Sequence, residues 1–399
     1  MVLRENIRCA SASVLLVFIL AGCSRETSPA TALPPPTSIA TSSFIDDATC
    51  AKCHADQAEA HHRSAHALTS SFATKETIKG NFQPGSNSMM TIDPNVSFLM
   101  EQKEHGFFQA AIVTTPIQTL RRRERIDVVV GSGHKAQTYL YWNDDYLFEL
   151  PVSVWMATGE WMNSPGYPDG TANFDRGVSN RCLECHATHF VSETSSRHRF
   201  ERSSIVPGIS CQKCHGPGDE HVAQFSTGAL PINSGDTRIV NPAKLTRERQ
   251  MDLCSLCHAG VGIPLKPPLS YSAGDELSKF ITFPPSSAVV PIDPHRSQAQ
   301  GLMASACYQQ SRTMTCSTCH DAHQTQRAAV DFSPRCMSCH QKEGCGKFSS
   351  LVPEIQTNCV DCHMPLTTTE KIVLRINGRK VQPNVRAHRI GIYPDLSSP

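Results

Sequence analysis

Cys316-Ser317-Thr318-Cys319-His320-Asp321-Ala322-His323 places two thiols three positions apart and an imidazole directly after the second. Cys-x-x-Cys-His is the attachment pattern of a c-type haem: the sulfurs form thioethers with the porphyrin vinyl groups and the histidine binds the iron. One short helical turn presents all three groups to one edge and one face of a flat macrocycle. The pattern occurs seven times, the other copies being Cys50/Cys53/His54, Cys182/Cys185/His186, Cys211/Cys214/His215, Cys254/Cys257/His258, Cys336/Cys339/His340 and Cys359/Cys362/His363. Zinc ribbons also pair Cys-x-x-Cys units, but a tetrahedral zinc site has no reason to put histidine after every pair. At the histidine frequency of this chain, seven such placements by chance have a probability of roughly 10⁻⁹, and paired disulfides fit less well still. The reading is seven covalent haems c, with proximal iron ligands His54, His186, His215, His258, His320, His340 and His363.

A chain of 399 residues has length for two or three domains. With one haem per roughly 55 residues, however, apolar macrocycles take over much of the work of an ordinary core. Aromatic residues make up only 7% and prolines number 27, which suits short helices and irregular segments. The expected fold class is a multihaem cytochrome c of short α-helices and loops wrapped on haems, with a small antiparallel β insert (α+β) and no stable fold without haem.

The amino terminus reads as an export signal: Arg4 and Arg8 precede the apolar run Val14-Leu15-Leu16-Val17-Phe18-Ile19-Leu20, too short to span a membrane. Leu20-Ala21-Gly22-Cys23 is similar to the bacterial lipobox, which predicts lipidation at Cys23; the alternative is an ordinary cleaved signal with an incidental cysteine. Ser24 favours the outer membrane. Either way the expected location is the periplasm or outer cell surface, lipid-anchored in the first case. The net charge of +1 gives no case for nucleic acid or acidic lipid as a partner. Haem propionates would make the loaded protein acidic, so Arg121-Arg122-Arg123-Glu124-Arg125 reads either as a set of propionate partners or as a solvated basic face.

The chain divides into a signal at 1–22, a Ser/Thr/Pro/Ala tether at 23–43 and a first haem site at 44–67. A haem-free insert follows at 68–181, then haem sites two to four at 182–258, a Pro-rich connection at 259–315, and the last three sites with a tail at 316–399. Strand-like runs in the insert are Val96–Met100, Phe107–Val113, Ile126–Val130, Thr138–Trp142 and Tyr146–Val154, with a hairpin turn at Asn143-Asp144-Asp145. The insert serves either as packing over the first haems or as a docking surface. Leu245–Gln250 reads as a helix capped at Thr246, and Lys371–Ile376 with Lys380–Val381 as a hairpin about Asn377-Gly378. Cys307 and Cys345 remain, as a disulfide or as free thiols.

Of the 18 histidines, 11 lie outside the motifs, and function turns on them. A haem with histidine on both faces only passes electrons, whereas one with an open face binds and transforms a small molecule. His323 lies three residues after His320, a link of at most about 10 Å, so it cannot reach the far face of the same haem and as a ligand must serve a neighbour. The same reasoning applies less tightly to His221 after His215.

Gly208-Ile209-Ser210-Cys211-Gln212-Lys213-Cys214-His215-Gly216-Pro217-Gly218, Cys-His-Asp-Ala-His at 319–323, Cys-His-Met-Pro at 362–365 and Ser64-Ala65-His66 resemble the multihaem cytochromes related to cytochrome c-554 and hydroxylamine oxidoreductase. Gly131-Ser132-Gly133-His134, Tyr139-Leu140, Leu150-Pro151-Val152-Ser153 and Ser164-Pro165-Gly166-Tyr167 resemble the haem-free insert of seven-haem members. The resemblance implies bis-histidine haems in stacked pairs, with His66, His134, His221, His295, His323 and His388 as distal ligands. His62, His189 and His198 compete for the seventh place. The resulting expectation is an electron carrier between a membrane quinol-linked donor and a redox protein or external acceptor, in possible assembly with other cytochromes. The alternative is an oxidoreductase acting on nitrite, hydroxylamine or tetrathionate at one five-coordinate haem.

Overall fold

Between Ser70 and Asn163 the chain is a succession of antiparallel strands. The computed structural model describes residues 45–193, 196–226, 239–283, 298–326, 328–369 and 372–393. The signal, Cys23, the tether and His295 lie outside these residues. The strands are β1 Ser70–Phe72, β2 Ser88–Met90, β3 Val96–Lys103, β4 Gly106–Thr114, β5 Thr119–Arg125, β6 Val128–Val130, β7 Ala136–Asn143, β8 Tyr146–Glu149, β9 Val152–Trp155 and β10 Glu160–Asn163. One sheet has the order β2-β3-β4-β5; the other runs β1-β6-β7-β9-β10, with β8 also paired to β7.

Period-two patterning builds the first sheet: Val96, Phe98 and Met100 of β3 point inward while the residues between them are half-buried. They join Tyr139, Val152 and Trp161 of the second sheet in one apolar cluster. Each large side chain so buried contributes about 1.5–3 kcal/mol. Gly80 makes room for the Trp161 ring, since a Cβ there would lie 2.0 Å from Trp161 Cη2. At the tip of the β7–β8 hairpin Asp144 takes φ 49°, a left-handed position that a short polar side chain tolerates. The run Tyr146–Val154, read as a single strand, is split at Leu150-Pro151, because proline has no N–H for the ladder.

The antiparallel insert is a two-sheet unit with its own conventional core, in which Phe98, Tyr139, Tyr141 and Phe174 are almost fully buried. The arginine run forms β5, the outer strand of its sheet, and its guanidiniums are engaged nearby: Arg121 with Glu101 at 2.5 Å, Arg122 with Glu124 and Asp175, Arg125 with Asp127. Arg123 lies over the Phe108 ring at 5.2 Å. Carboxylates of the β region are partners of these guanidiniums on an otherwise exposed strand, as a solvated basic face would have it.

Glu149, on β8, is a buried carboxylate held 3.2 Å from Arg176. Burial, opposed by Arg176, pushes its carboxyl up from 4.5 to about 7. The folded protein therefore holds this proton more tightly than the unfolded chain. Stability from this group is fully present below about pH 4.5 and is lost as pH rises through 7, a change on the order of 3 kcal/mol. Melting midpoints followed from pH 4.5 to 8 are expected to lose this component in Glu149→Gln. An unchanged slope would show that Glu149 titrates normally.

The motif-bearing part consists of short helices: α1 Asp47–Ala51, α2 Ala55–His62, α3 Asn180–His186, α4 Cys211–His215, α5 Asp219–Ser226 and α6 Arg247–His258. Side-chain caps start several of them: Asp46 accepts from Ala48 N, Ser179 from Cys182 N and Thr246 from Arg249 N. The fifth motif begins in a 3-10 turn at Cys316–Thr318, the sixth begins at the end of helix Ala329–Met337 with Cys339 and His340 beyond it, and the seventh forms helix Cys359–His363. The tail hairpin pairs Leu374–Ile376 with Arg379–Val381, and packs Leu374 and Ile376 on Met162. Cys307 and Cys345 are half-buried free thiols, so the disulfide alternative is not formed. Among the described residues no helix is long and apolar enough to cross a membrane.

Candidate haem centres

Each Cys-x-x-Cys-His run closes into a single turn. The N–H of His54 donates to the Cys50 carbonyl at 2.9 Å, that of His320 to Cys316 at 2.9 Å and that of His340 to Cys336 at 3.0 Å. This tucks the imidazole beneath the edge that carries the thiols, as one attached macrocycle requires.

Tertiary packing then brings motifs together sulfur to sulfur. The Cys50 and Cys211 thiols lie within 4.8 Å of each other. The neighbouring Cys257, then burial, holds the Cys185 thiol up, and the neighbouring Cys316, then burial, does the same for Cys254. Burial, then the charge of Cys359, pushes Cys336 up to about 11. Cys319 is raised by burial and by the nearby Cys307, Cys316 and Cys339. Cys214 lies close enough to Cys254 and Cys257 to act on both. The attachment points thus follow one another in the order one, three, four, five, six, seven, with the second motif touching the fourth.

The two thiols of a motif do not always share one environment. None of the motif thiols is spent in a disulfide, but Cys53, Cys182, Cys339 and Cys362 are exposed while the other ten are half-buried. The reason is that inter-motif packing takes up one thiol of the pair and leaves the other outside. In the first motif Cys50 turns to Cys211, and Cys53 faces solvent. In the seventh, Cys359 is held against helix Ala329–Met337 by its N–H bond to Ser333 Oγ at 3.0 Å, and Cys362 faces solvent.

The histidines give the sharper geometry. Two imidazoles on opposite faces of one iron, each nitrogen about 2 Å from the metal, have ring centroids about 6 Å apart. Among the described residues, four motif histidines stand at such a separation from a histidine outside the motifs. His54 faces His221 at 6.5 Å and 22° between planes, and His215 faces His323 at 6.1 Å and 19°. His258 faces His66 at 6.2 Å and 73°, and His320 faces His388 at 6.3 Å and 26°.

Hydrogen bonds fix which nitrogen points where. Nδ1 of His215 lies 2.8 Å from Val240 O, that of His363 2.9 Å from Gly391 O, and that of His388 3.2 Å from Arg386 O. His186 Nδ1 lies 2.8 Å from Thr69 Oγ1, and His323 Nδ1 3.5 Å from Asp321. A partner at Nδ1 orients the ring and leaves Nε2 for a metal, the usual support of a ligating histidine. Burial also holds His215, His320 and His388 below the ordinary imidazole range, and so neutral as a ligand must be. Thiols on one edge, an imidazole beneath and a second imidazole at iron-spanning distance fit a c-type haem.

The family profile "Cytochrome c554 and c-prime" matches residues 167–216, the segment that holds the second and third motifs. The dissimilatory sulfite reductase MccA of Wolinella succinogenes is 22% identical over 361 residues, covering 80% of this chain. This chain resembles the multihaem c-type cytochromes related to cytochrome c-554. It spans less than half, 47%, of the length of the reductase. Its fold is similar to that of the outer cell wall cytochrome OcwA, with a TM-score of 0.51 and 16% identity over 87% of this chain and 79% of that one. An undecahaem cytochrome from the S-layer of Carboxydothermus ferrireducens aligns with a TM-score of 0.33 at 14% identity, over 86% of this chain and 56% of that one.

The other candidates in the cytochrome are placed differently. His134 is half-buried at the β6–β7 turn. His198 packs on the Tyr146 and Phe148 rings at 5.5 and 5.6 Å, a core position, and His189 is half-buried next to the second motif. His62 is exposed. His61 is buried, with its ring 6.4 Å from that of His323 and Nδ1 unpartnered among the described residues. It had no pattern of its own beyond the histidine-rich run 61–66. Arg181, directly before the second motif, also escaped notice, because only its tertiary contacts distinguish it. Its guanidinium bonds Glu184 at 2.6 Å and Val261 O at 2.7 Å, and reaches the carbonyls of Leu256 and Gly260.

Proposed function

We propose that the cytochrome carries seven covalent haems and relays electrons between redox partners, exported and held at a membrane by a lipid on Cys23. The single observation that carries this reading is the set of four imidazole pairs at 6.1–6.5 Å. Bound haem supplies a one-electron centre at each motif. The chain holds these centres at short intervals through its thiol contacts. His66, His221, His323 and His388 each lie opposite a motif remote in sequence, so they close a second face and tie neighbouring sites together. Bis-histidine ligation sets low potentials and leaves no open position for chemistry at those sites. A quinol-linked membrane donor and a redox-protein or external acceptor are the partners this arrangement suits, and assembly with other cytochromes extends the same relay.

The second reading is reduction of a small nitrogen or sulfur species at one five-coordinate haem. The likeness to a sulfite reductase favours it, and sulfite joins nitrite, hydroxylamine and tetrathionate as a substrate to try.

A haem assay with intact mass on the exported protein, followed by electron paramagnetic resonance and resonance Raman, tests both readings. Seven haems per chain, all low-spin, is the expected result. A high-spin signal in the native protein, perturbed by sulfite or nitrite, would transfer the assignment to the second reading, and fewer than seven haems would overturn the count.

A further inference from the structure

The chain just ahead of the first motif is bonded to the third. Gln212, buried between the two cysteines of the third motif, donates from Nε2 to Ile45 O at 2.7 Å, and its Oε1 accepts from Gly218 N at 3.3 Å. Two residues after Ile45, Asp47 Oδ1 accepts from Cys211 N at 3.3 Å. Helix α4 gains an acceptor for its first turn in this way, because the side chain of Ser210 before it makes no cap bond. Asp47 is at the same time the first residue of α1, which Asp46 caps. One carboxylate therefore belongs to both motif helices.

The same carboxylate stands at both attachment sulfurs. An Asp47 oxygen, Cys50 Sγ and Cys211 Sγ all lie within 4.8 Å of one another, and all three residues are half-buried. Both thiols register the charge: burial first, then Asp47, pushes Cys50 and Cys211 up from the ordinary thiol range. A carboxylate that opposes negative charge on either sulfur opposes, for the same reason, an electron arriving on the macrocycle bonded to that sulfur. Partial burial keeps the interaction from being screened away.

We propose that Asp47 sets the reduction potentials of the first and third haems together, its charge holding both in the oxidised form. This rests on the relay reading and adds to it a control shared by two neighbouring centres. Both potentials move in the same direction, so the step between the two haems is little altered while residence of an electron on either is disfavoured.

Spectroelectrochemical titration of the haem-loaded full chain, as wild type and as Asp47→Asn, tests the assignment. Asparagine keeps an acceptor for Cys211 N and removes the charge. Two haems are expected to rise in their equilibrium constant for reduction by at least about fivefold, about 40 mV for one electron, while the others stay in place. Distal-ligand variants show which two. His221→Ala marks the first haem as high-spin and His323→Ala the third, and the marked haem is expected to rise by the same factor when Asp47→Asn is added. Asp47→Glu returns the charge and is expected to restore most of the wild-type potentials. Asp47→Ala removes charge and acceptor, and is expected to lower the melting midpoint as well, which Asp47→Asn leaves near that of the wild type. Unmoved potentials in Asp47→Asn, or an equal shift of every haem, would overturn the proposal. A marking variant that leaves every haem low-spin would count against the ligand pairs of the relay, and the two-haem shift in Asp47→Asn alone would still decide the role of Asp47.

Discussion

Replacement of His323 by alanine is expected to turn one haem high-spin, and that haem is the one attached at Cys211 and Cys214. The neighbouring Cys316/Cys319 haem should be untouched, although it lies only three residues away along the chain. His323 stacks at 19° on His215 across 6.1 Å, whereas His320 has His388 opposite it at 6.3 Å. Resonance Raman spin-state bands report the change, at about one haem per molecule. Paired substitutions sharpen the result. His323→Ala with His388→Ala should open two haems, because the two histidines face different motifs, and independent sites add. If the pair opens one haem only, both histidines address the same iron and the neighbour arrangement is wrong.

The turn geometry of the motifs was legible in the sequence because it is local: a thiol pair and the following imidazole fall within one helical turn. The remote position of His323 was legible for a related reason: a three-residue tether is too short for the alternative. Which motif His66, His221 or His388 faces was not legible, because those pairings depend on how separate segments pack. His66 and Ala322, for example, meet at 3.4 Å across 256 residues of sequence. The β region divides in the same way. Strand β3 shows period-two alternation and β4 and β7 are apolar runs, so all three were read close to their bounds, but β5 is largely polar and exposed, being an outer strand with little to bury. Its residues looked like a charge run, and only the register opposite β4 makes them a strand. The separate core of the β region was not legible, because composition averages the motif-bearing short helices with a conventional apolar unit.

Arg181→Met is expected to cost about 3–5 kcal/mol, the penalty for breaking a buried ion pair and leaving its partner charged. Arg181 and Glu184 are 8% and 10% exposed at the side chain, and the surviving carboxylate would keep only its bond from Leu269 N at 3.1 Å. The arginine does more than neutralise it. Its remaining N–H groups reach the carbonyls of Leu256, Gly260 and Val261, where α6 ends, so one guanidinium pins the second motif's helix to the C-terminus of the fourth's. Cys185 and Cys257 meet at this junction. Loss of the fork should therefore lower the melting midpoint of the loaded protein and also weaken the magnetic interaction between the haems held at those two cysteines. Arg181→Lys separates charge from shape: a lysine keeps the ion pair with Glu184 but cannot reach several carbonyls at fixed angles. It is expected to recover part of the stability and little of the inter-haem coupling. In Arg181→Met/Glu184→Met the buried charge is gone, so most of the stability should return while the coupling stays weak. Full coupling in that double variant would show that packing of α3 on α6 sets the junction without Arg181.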